Sequence, residues 1–358
     1  MACRSARCRT SPAIRALPRA RTLRRIKSLS ETLSSVLVTL FGLAVVTFMI
    51  GRVVPIDPTI AIVGDHAPPD VVAAARLQLG LDKPLPVQFL IYVQHLLHGD
   101  LGRSVMSSHP VTQDIAQYFP ATVELATTAI IIAMLIGIPL GVLAAARQGS
   151  RFDQLVRVIS LGGQSVPVFV LGLVALLVFY VKLGWAPGTG QQDVLFDGTV
   201  PRVTGMLVVD AALNGDWDAT SDALAHLALP ALVLAFFSLS TITRMTRAFM
   251  LDALGGEYIV TARAKGLSGT RILWRHGFGN IAVPLITVLA LAYAGLLEGA
   301  VLTEVIFSWP GIGQYLTVSL LNADMNAVLG ATLVIGAVYV GLNMLADLAY
   351  RLFDPRVR

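Results

Sequence analysis

The chain has 358 residues, 55% of them hydrophobic and only 14% charged, and its mean hydropathy is +0.71. That composition excludes both an ordinary soluble domain and an unfolded polyelectrolyte. The formal net charge of +5 follows the sidedness described below and does not point to a nucleic-acid partner.

Residues 1–30 carry nine Lys/Arg and no acid. Rich in Arg, Ser, Ala and Pro, this arm reads as disordered or lipid-facing, or as an over-long gene start. It holds the chain's two cysteines, Cys3 and Cys8. A C-x4-C pair in such an arm is a poor zinc site, and the segments expected outside have no cysteine to form a disulfide.

Six charge-free windows follow: Thr32–Gly51, Leu125–Ala146, Val158–Val181, Ala223–Thr243, His276–Leu297 and Met325–Ala346. Each has the ~20 residues that cross a ~30 Å hydrocarbon core as a helix, and none alternates as a barrel strand would. The first lacks a small-residue cleavage site and is long enough to span, so it reads as a span and not a signal peptide.

Between the first two windows, Pro68-Pro69-Asp70 opens a helix that runs through Val71, Ala74 and Leu77 to Leu79 and stops at Gly80. Pro86 opens a second, with Val87, Leu90, Ile91, Gln94 and Leu97 on one side and Gly99 at its end. Four of the six histidines lie in this insert: His66, His95, His98 and His109. His95 and His98 share a helix face and make a workable ligand pair. On an amphipathic surface helix such a pair is ordinarily solvated, so no metal is expected.

Charge orients the spans. The loop at Arg147, Arg151 and Arg157 has Asp153 as its one acid, and residues 244–275 hold six basic against two acidic residues. The alternate loops invert this: residues 52–119 have four basic and six acidic, and residues 183–222 have Arg202 against six Asp. The bias alternates at every crossing, which predicts six spans with both termini cytoplasmic. The expected organisation is a basic arm (1–30), a first span with an extracytoplasmic helical insert (31–119), and a transmembrane core (120–358) carrying a cytoplasmic loop over 244–280.

Within the spans, Gly137-x3-Gly141 and Gly295-x3-Gly299 offer small faces for close helix contact. Pro139, Pro167, Pro230 and Pro284 lie within or at the ends of spans, where kinks are tolerated. Glu298 and Glu304 are intramembrane acids pointing to roughly opposite sides of one helix. A charge deep in lipid costs about 2.5–3.5 kcal/mol on insertion scales. Glu304 is expected near the exported end and satisfied there. Glu298 must face protein or water, as an interhelix hydrogen-bonded residue or on a substrate path.

The 244–280 loop carries the most specific segment, Glu257-Tyr-Ile-Val-Thr-Ala-Arg-Ala-Lys-Gly266-Leu-Ser. Glu257 suits the first turn of a short helix, Arg263 and Lys265 the last, and Gly266 a left-handed C-terminal cap. Ser268 can cap a second helix carrying Ile272, Leu273 and Trp274. Ala262 and Ala264 are small and let another backbone approach. Physics alone leaves two readings, a solvated basic loop and a handle driven from outside.

This stretch resembles the cytoplasmic "EAA" loop of binding-protein-dependent ABC importer permeases, most closely the dipeptide/oligopeptide/nickel branch. Aligned on Gly266, the family's Glu-Ala-Ala falls on Val260-Thr261-Ala262, and Ile281-Ala-Val-Pro284 follows at the longer spacing usual in the peptide branch. Further resemblance to the B-type permease of peptide importers lies in Val54-Pro-Ile-Asp-Pro58 (the family usually has Gly at Ile56), Phe119-Pro-Ala-Thr-Val-Glu-Leu125, Gly137-Ile-Pro-Leu-Gly-Val-Leu-Ala144, His226-Leu-Ala-Leu-Pro230, Phe307-Ser-Trp-Pro-Gly-Ile-Gly313 and Asp354-Pro-Arg-Val-Arg358. Together these cover nearly all of residues 32–358.

The resemblance implies a multi-pass inner-membrane permease subunit that forms half of a heterodimeric pore with a sister permease. It also implies two cytoplasmic ATPase subunits, an extracytoplasmic solute-binding protein, and ATPase coupling through Glu257, Tyr258, Thr261, Ala262, Arg263, Ala264, Lys265, Gly266 and Leu267. Short peptides are the expected solute, with nickel, glutathione or another small solute as alternatives. No Gly-x4-Gly-Lys-Ser/Thr loop is present, so the chain is not expected to be an ATPase itself, and no cofactor is expected. No His-Glu-x2-His or Gly-x-Ser-x-Gly motif supports an intramembrane enzyme. A charge-paired relay along the spans is also missing, which leaves a secondary carrier or channel as a remote alternative.

Overall fold

The computed structural model describes residues 18–53, 63–64, 67–78 and 82–353. Cys3, Cys8, the 54–58 segment, His66, Leu79-Gly80 and the 354–358 tail lie outside them. Regular structure among the described residues is helical, apart from one isolated bridge between Arg103 and Pro110.

Helix α1 is Pro18–Val53, followed by α2 (Pro69–Gln78) and α3 (Leu85–Leu97). The basic arm is therefore helical over residues 18–30, where composition predicts disorder. Arg, Ala and Leu are good helix formers, and here they extend a helix already nucleated by the apolar run that follows. Next come α4 (Val111–Ala146), α5 (Arg151–Ser165) and α6 (Val168–Ala175), the last continuing as a wider π-turn over Leu176–Lys182. The rest are α7 (Leu207–Leu213), α8 (Trp217–Leu254), α9 (Glu257–Ala264), α10 (Gly269–Phe307), α11 (Ile312–Leu321) and α12 (Met325–Phe353).

Among the described residues five helices are long and apolar enough to cross a membrane, in α1, α4, α8, α10 and α12. The expected third span is not one straight helix. It breaks between α5 and α6 with a bend of 100°. Val166 is extended (φ −94, ψ 123) and Pro167 is the N-cap of α6. Proline has no N–H to continue α5, and its ring disfavours a helical residue before it. The described residues thus hold five candidate spans, or six if the bent pair counts as one.

The core lies where α4, α8 and α10 meet. Ala121, Ala126, Ala129 and Ala133 of α4 pack with Leu227, Ala231, Leu234 and Leu239 of α8, with Leu296 and Ala300 of α10, and with Trp309. Small residues let these backbones approach, since van der Waals packing and not water exclusion holds helices together in lipid. A Cβ on Gly141 would lie 2.7 Å from the Thr243 carbonyl and from Thr246 Cβ, so that glycine sits at a close α4–α8 approach. Gly295 and Gly299, by contrast, face open space within this chain.

The gap that Pro120 leaves in the hydrogen-bond ladder of α4 is filled from a distant loop. Pro120 cannot donate to the Ala116 carbonyl; Arg202 donates there instead, and more closely to Gln117. Asp210 braces the same loop, accepting from the Thr204 hydroxyl and from the amides of Val203, Thr204 and Gly205. Burial pushes its carboxyl up, but those hydrogen bonds together hold it below the ordinary carboxylate value.

Candidate functional site

Helix α9 is built by its ends. Gly256 occupies the N-cap in an extended conformation, and Glu257 lies in the first turn. At the other end Gly266 takes φ +73. Its amide donates to the Arg263 carbonyl at 2.9 Å, and the Leu267 amide donates to Ala262 at 3.3 Å. This crossed pair is a Schellman closure, which needs a residue tolerant of positive φ. Ser268 holds the next N-cap position but its side chain makes no capping bond; its carbonyl accepts from the Ile272 amide instead.

The two faces of α9 differ. Ile259 and Ala262 are buried and pack with Ile272, Leu254 and Leu267. This corrects the reading of Ala262 as part of an open small face: it is only 6% exposed. One helical turn separates Ile259 from Ala262, so both point at the junction of α8 and α10. Tyr258, Val260, Thr261, Arg263, Ala264 and Lys265 are exposed, as are Glu257 and Gly266. Tyr258 is tethered by its hydroxyl, which donates to the Ala253 carbonyl at 2.8 Å. A cavity of about 590 Å³ lies beside this helix, lined by Arg147, Gln148, Ser150, Leu251, Leu254 and Arg263 among others.

The base of the loop is pinned by a pair that sequence reading treated only as loop charge. Arg247 on α8 donates twice to Asp153 on α5, at 2.5 and 2.8 Å. Asp153 is 1% exposed and also accepts from the Gly149 amide. The one signal in the sequence was an acid alone among Arg147, Arg151 and Arg157.

The two intramembrane acids of α10 separate clearly. Glu304 is fully buried. It accepts from the Thr122 hydroxyl at 2.6 Å and from the amides of Gly313 (2.7 Å) and Gln314 (3.1 Å), at the start of α11. A Cβ on Gly311 would lie 2.4 Å from its carboxyl carbon, so the loop can close over it only with glycine there. Trp309 locks the same corner, donating to the Ala121 carbonyl at 2.9 Å. Glu304 is thus enclosed and does not line an open path in this structure. Glu298 is exposed, on one face with Leu291, Gly295, Gly299 and Leu302, and has no hydrogen-bond or ion-pair partner among the described residues.

The described histidines of the insert have separate partners. His95 pairs with Asp100 at 2.9 Å, and His98 bonds the Gln94 carbonyl of its own helix at 2.8 Å. Among the described residues no three His, Cys, Asp or Glu gather as a metal site would need.

Comparison with known proteins places this geometry. The family described as "Binding-protein-dependent transport system inner membrane component" matches residues 137–358, and its N-terminal counterpart matches residues 26–126. The chain is 45% identical over 316 residues to the probable D,D-dipeptide transport system permease protein DdpB of Escherichia coli (strain K12), covering 88% of this chain and 93% of the relative. It is 40% identical over 331 residues to the di/tripeptide transport system permease protein DppB of Pseudomonas aeruginosa (strain UCBPP-PA14), covering 92% and 98%. Identity to the dipeptide permease DppB of Alkalihalophilus pseudofirmus is 37% over 319 residues, or 89% and 95%.

Proposed function

Since this chain belongs to the inner membrane components of binding-protein-dependent transport systems, we infer that it forms half of a translocation pore for short peptides. It is a permease and not an ATPase; hydrolysis lies in partner subunits of the system. The peptide assignment rests on the names of its relatives, which are said to carry D,D-dipeptides, dipeptides and tripeptides.

The proposed assembly pairs this chain with a sister permease, two cytoplasmic ATPase subunits and an extracytoplasmic binding protein. Helices α5 and α6 together make one broken span, giving six. The charge bias puts both termini and α9 in the cytoplasm, and the 52–119 insert outside.

Coupling runs through α9. One observation carries this reading: α9 is buried and apolar on the side that packs on the chain and exposed on the other. Ile259 and Ala262 key it to Leu254 at the end of α8 and to Ile272 at the start of α10. A push on the outer face at Val260, Thr261, Ala264 and Lys265 would therefore move those two helices as packed bodies. Closure of the ATPases on ATP supplies that push, and the spans rock between inward-open and outward-open. The bidentate Asp153–Arg247 pair carries the motion to α5. In this reading the exposed Glu298 faces the solute path or the sister subunit.

Reporter fusions test the arrangement. A reporter after Gly190 should be active outside and one after Gly255 inside. The reverse at either position would overturn it.

A further inference from the structure

We propose that α3, although it belongs to the exported insert by sequence, lies in the outer leaflet of the bilayer with its free face against lipid acyl chains. The inference rests on reading α1 and α12 as spans.

Two contacts set the depth. A Cβ on Gly336 would touch Leu43, and one on Gly51 would touch Leu329, so α1 and α12 pack side by side over their apolar windows. Leu43 and Gly336 thus mark the middle of both windows, Ser34–Gly51 and Met325–Ala346. The Phe89 ring of α3 sits between two rings of α1, with centroids 5.8 Å from Phe41 and 5.3 Å from Phe48. Phe41 lies about 15 Å along the axis from Gly51, at ~1.5 Å per residue. Tyr92 reaches Phe48 at 5.6 Å and shares a 3.0 Å hydrogen bond with Thr47. Rings that touch a mid-span phenylalanine are below the aqueous boundary.

The helix is made for that location. From Leu85 to Leu97 it has no Asp, Glu, Lys or Arg. At ~1.5 Å per residue it is about 20 Å long, too short to cross a ~30 Å core. The charges nearest to it are Asp82 and Lys83 before it and Asp100 after it. Charge thus flanks the helix at both ends and is missing within it, which suits a helix in the interface and not one that crosses the core. Its first turn exposes few donors: Pro86 has no N–H, and the Val87 and Gln88 amides both donate to the Pro84 carbonyl. Free amides at a helix start are what lipid penalises most.

The outward side chains complete the case. Leu85, Val87, Leu90 and Leu97 are 55%, 39%, 67% and 82% exposed. The neighbouring α1 is open in the same way, with Leu37, Val38, Phe41 and Val46 each more than half exposed. Exposed Gln94 and His95 interrupt the α3 surface toward the Asp100 end, where His95 pairs with Asp100, and the apolar part before them fits acyl chains.

Nitroxide labels test this in the assembled transporter in lipid vesicles, with Cys3 and Cys8 replaced by Ser. Labels go on Leu90→Cys and Leu85→Cys, with Val38→Cys as the span control and Leu195→Cys as the aqueous control. Oxygen, which concentrates in hydrocarbon, and a charged nickel chelate, which stays in water, are the relaxing agents. The expected result is an oxygen-to-nickel accessibility ratio at positions 90 and 85 in the range of position 38, and well above position 195. A ratio like that of position 195 would put α3 in water. Protection from both agents would mean that protein covers it. Either outcome overturns the proposal if position 38 reads as lipid; a watery position 38 would instead overturn the span reading itself.

Discussion

The Thr122 hydroxyl donates to the Glu304 carboxylate across 2.6 Å, joining α4 to α10 between residues 182 positions apart. The same hydroxyl oxygen accepts from the Ile312 amide at 2.8 Å, so one side chain serves both the acid and the start of α11. Thr122→Val keeps the shape and removes both bonds. An orphaned buried polar group costs about 1–3 kcal/mol. The expected outcome is a clearly lower thermal midpoint in detergent for Thr122→Val, and near wild-type behaviour for Thr122→Ser. Equal midpoints for Val and wild type would show that the corner does not depend on this bond.

Asp153 and Arg247 make the second long-range brace. Asp153 is buried and Arg247 half-buried, so removing one leaves the other without its partner. Breaking such a pair typically costs about 3–5 kcal/mol, although the intact pair adds far less than that over an apolar replacement. Asp153→Asn should therefore destabilise strongly, and Arg247→Lys should fail to restore the two-pronged contact. The double change to Leu should be milder than the sum of the single ones. Additive losses in a thermal unfolding series would argue against direct coupling.

The spans were largely legible in the sequence, because apolar runs of helical length have few other uses. The kink at Pro167 was hidden for the same reason. Val158–Val181 has no charge to interrupt it, and hydropathy carries no direction, so a 100° bend leaves no mark except the proline itself. The cap at Gly266 followed from local chemistry and appears as a Schellman closure. The inward turn of Ala262 did not, although Ile259 one turn earlier and Leu267 beyond the cap were an available apolar pattern. Partners far apart in the chain, such as Thr122 for Glu304 or Arg202 for the Ala116 carbonyl freed by Pro120, were beyond local reasoning. Their residue types show only that a bond is needed and not where it comes from.

Glu298 is the side chain whose role transport assays can separate. Glu298→Gln keeps size and polarity and removes the charge. On the solute path it should slow uptake of peptides with a free amino terminus, with assembly and binding-protein affinity unchanged. Amino-blocked peptides, where carried, should be less affected. Unchanged uptake of both classes at normal expression would make Glu298 a packing residue.

The account stands most directly on the outer face of α9. Ala264 is exposed there and outside the apolar cluster that seats α9, so Ala264→Glu leaves the fold intact and adds a charge where the ATPase is proposed to dock. The decisive measurement is ATP-dependent uptake of a labelled dipeptide, together with solute-stimulated ATP hydrolysis, by the assembled complex in proteoliposomes. The account predicts that wild type shows both, and that Ala264→Glu assembles with an unchanged thermal midpoint yet loses both. Full uptake and full stimulation in Ala264→Glu would contradict it.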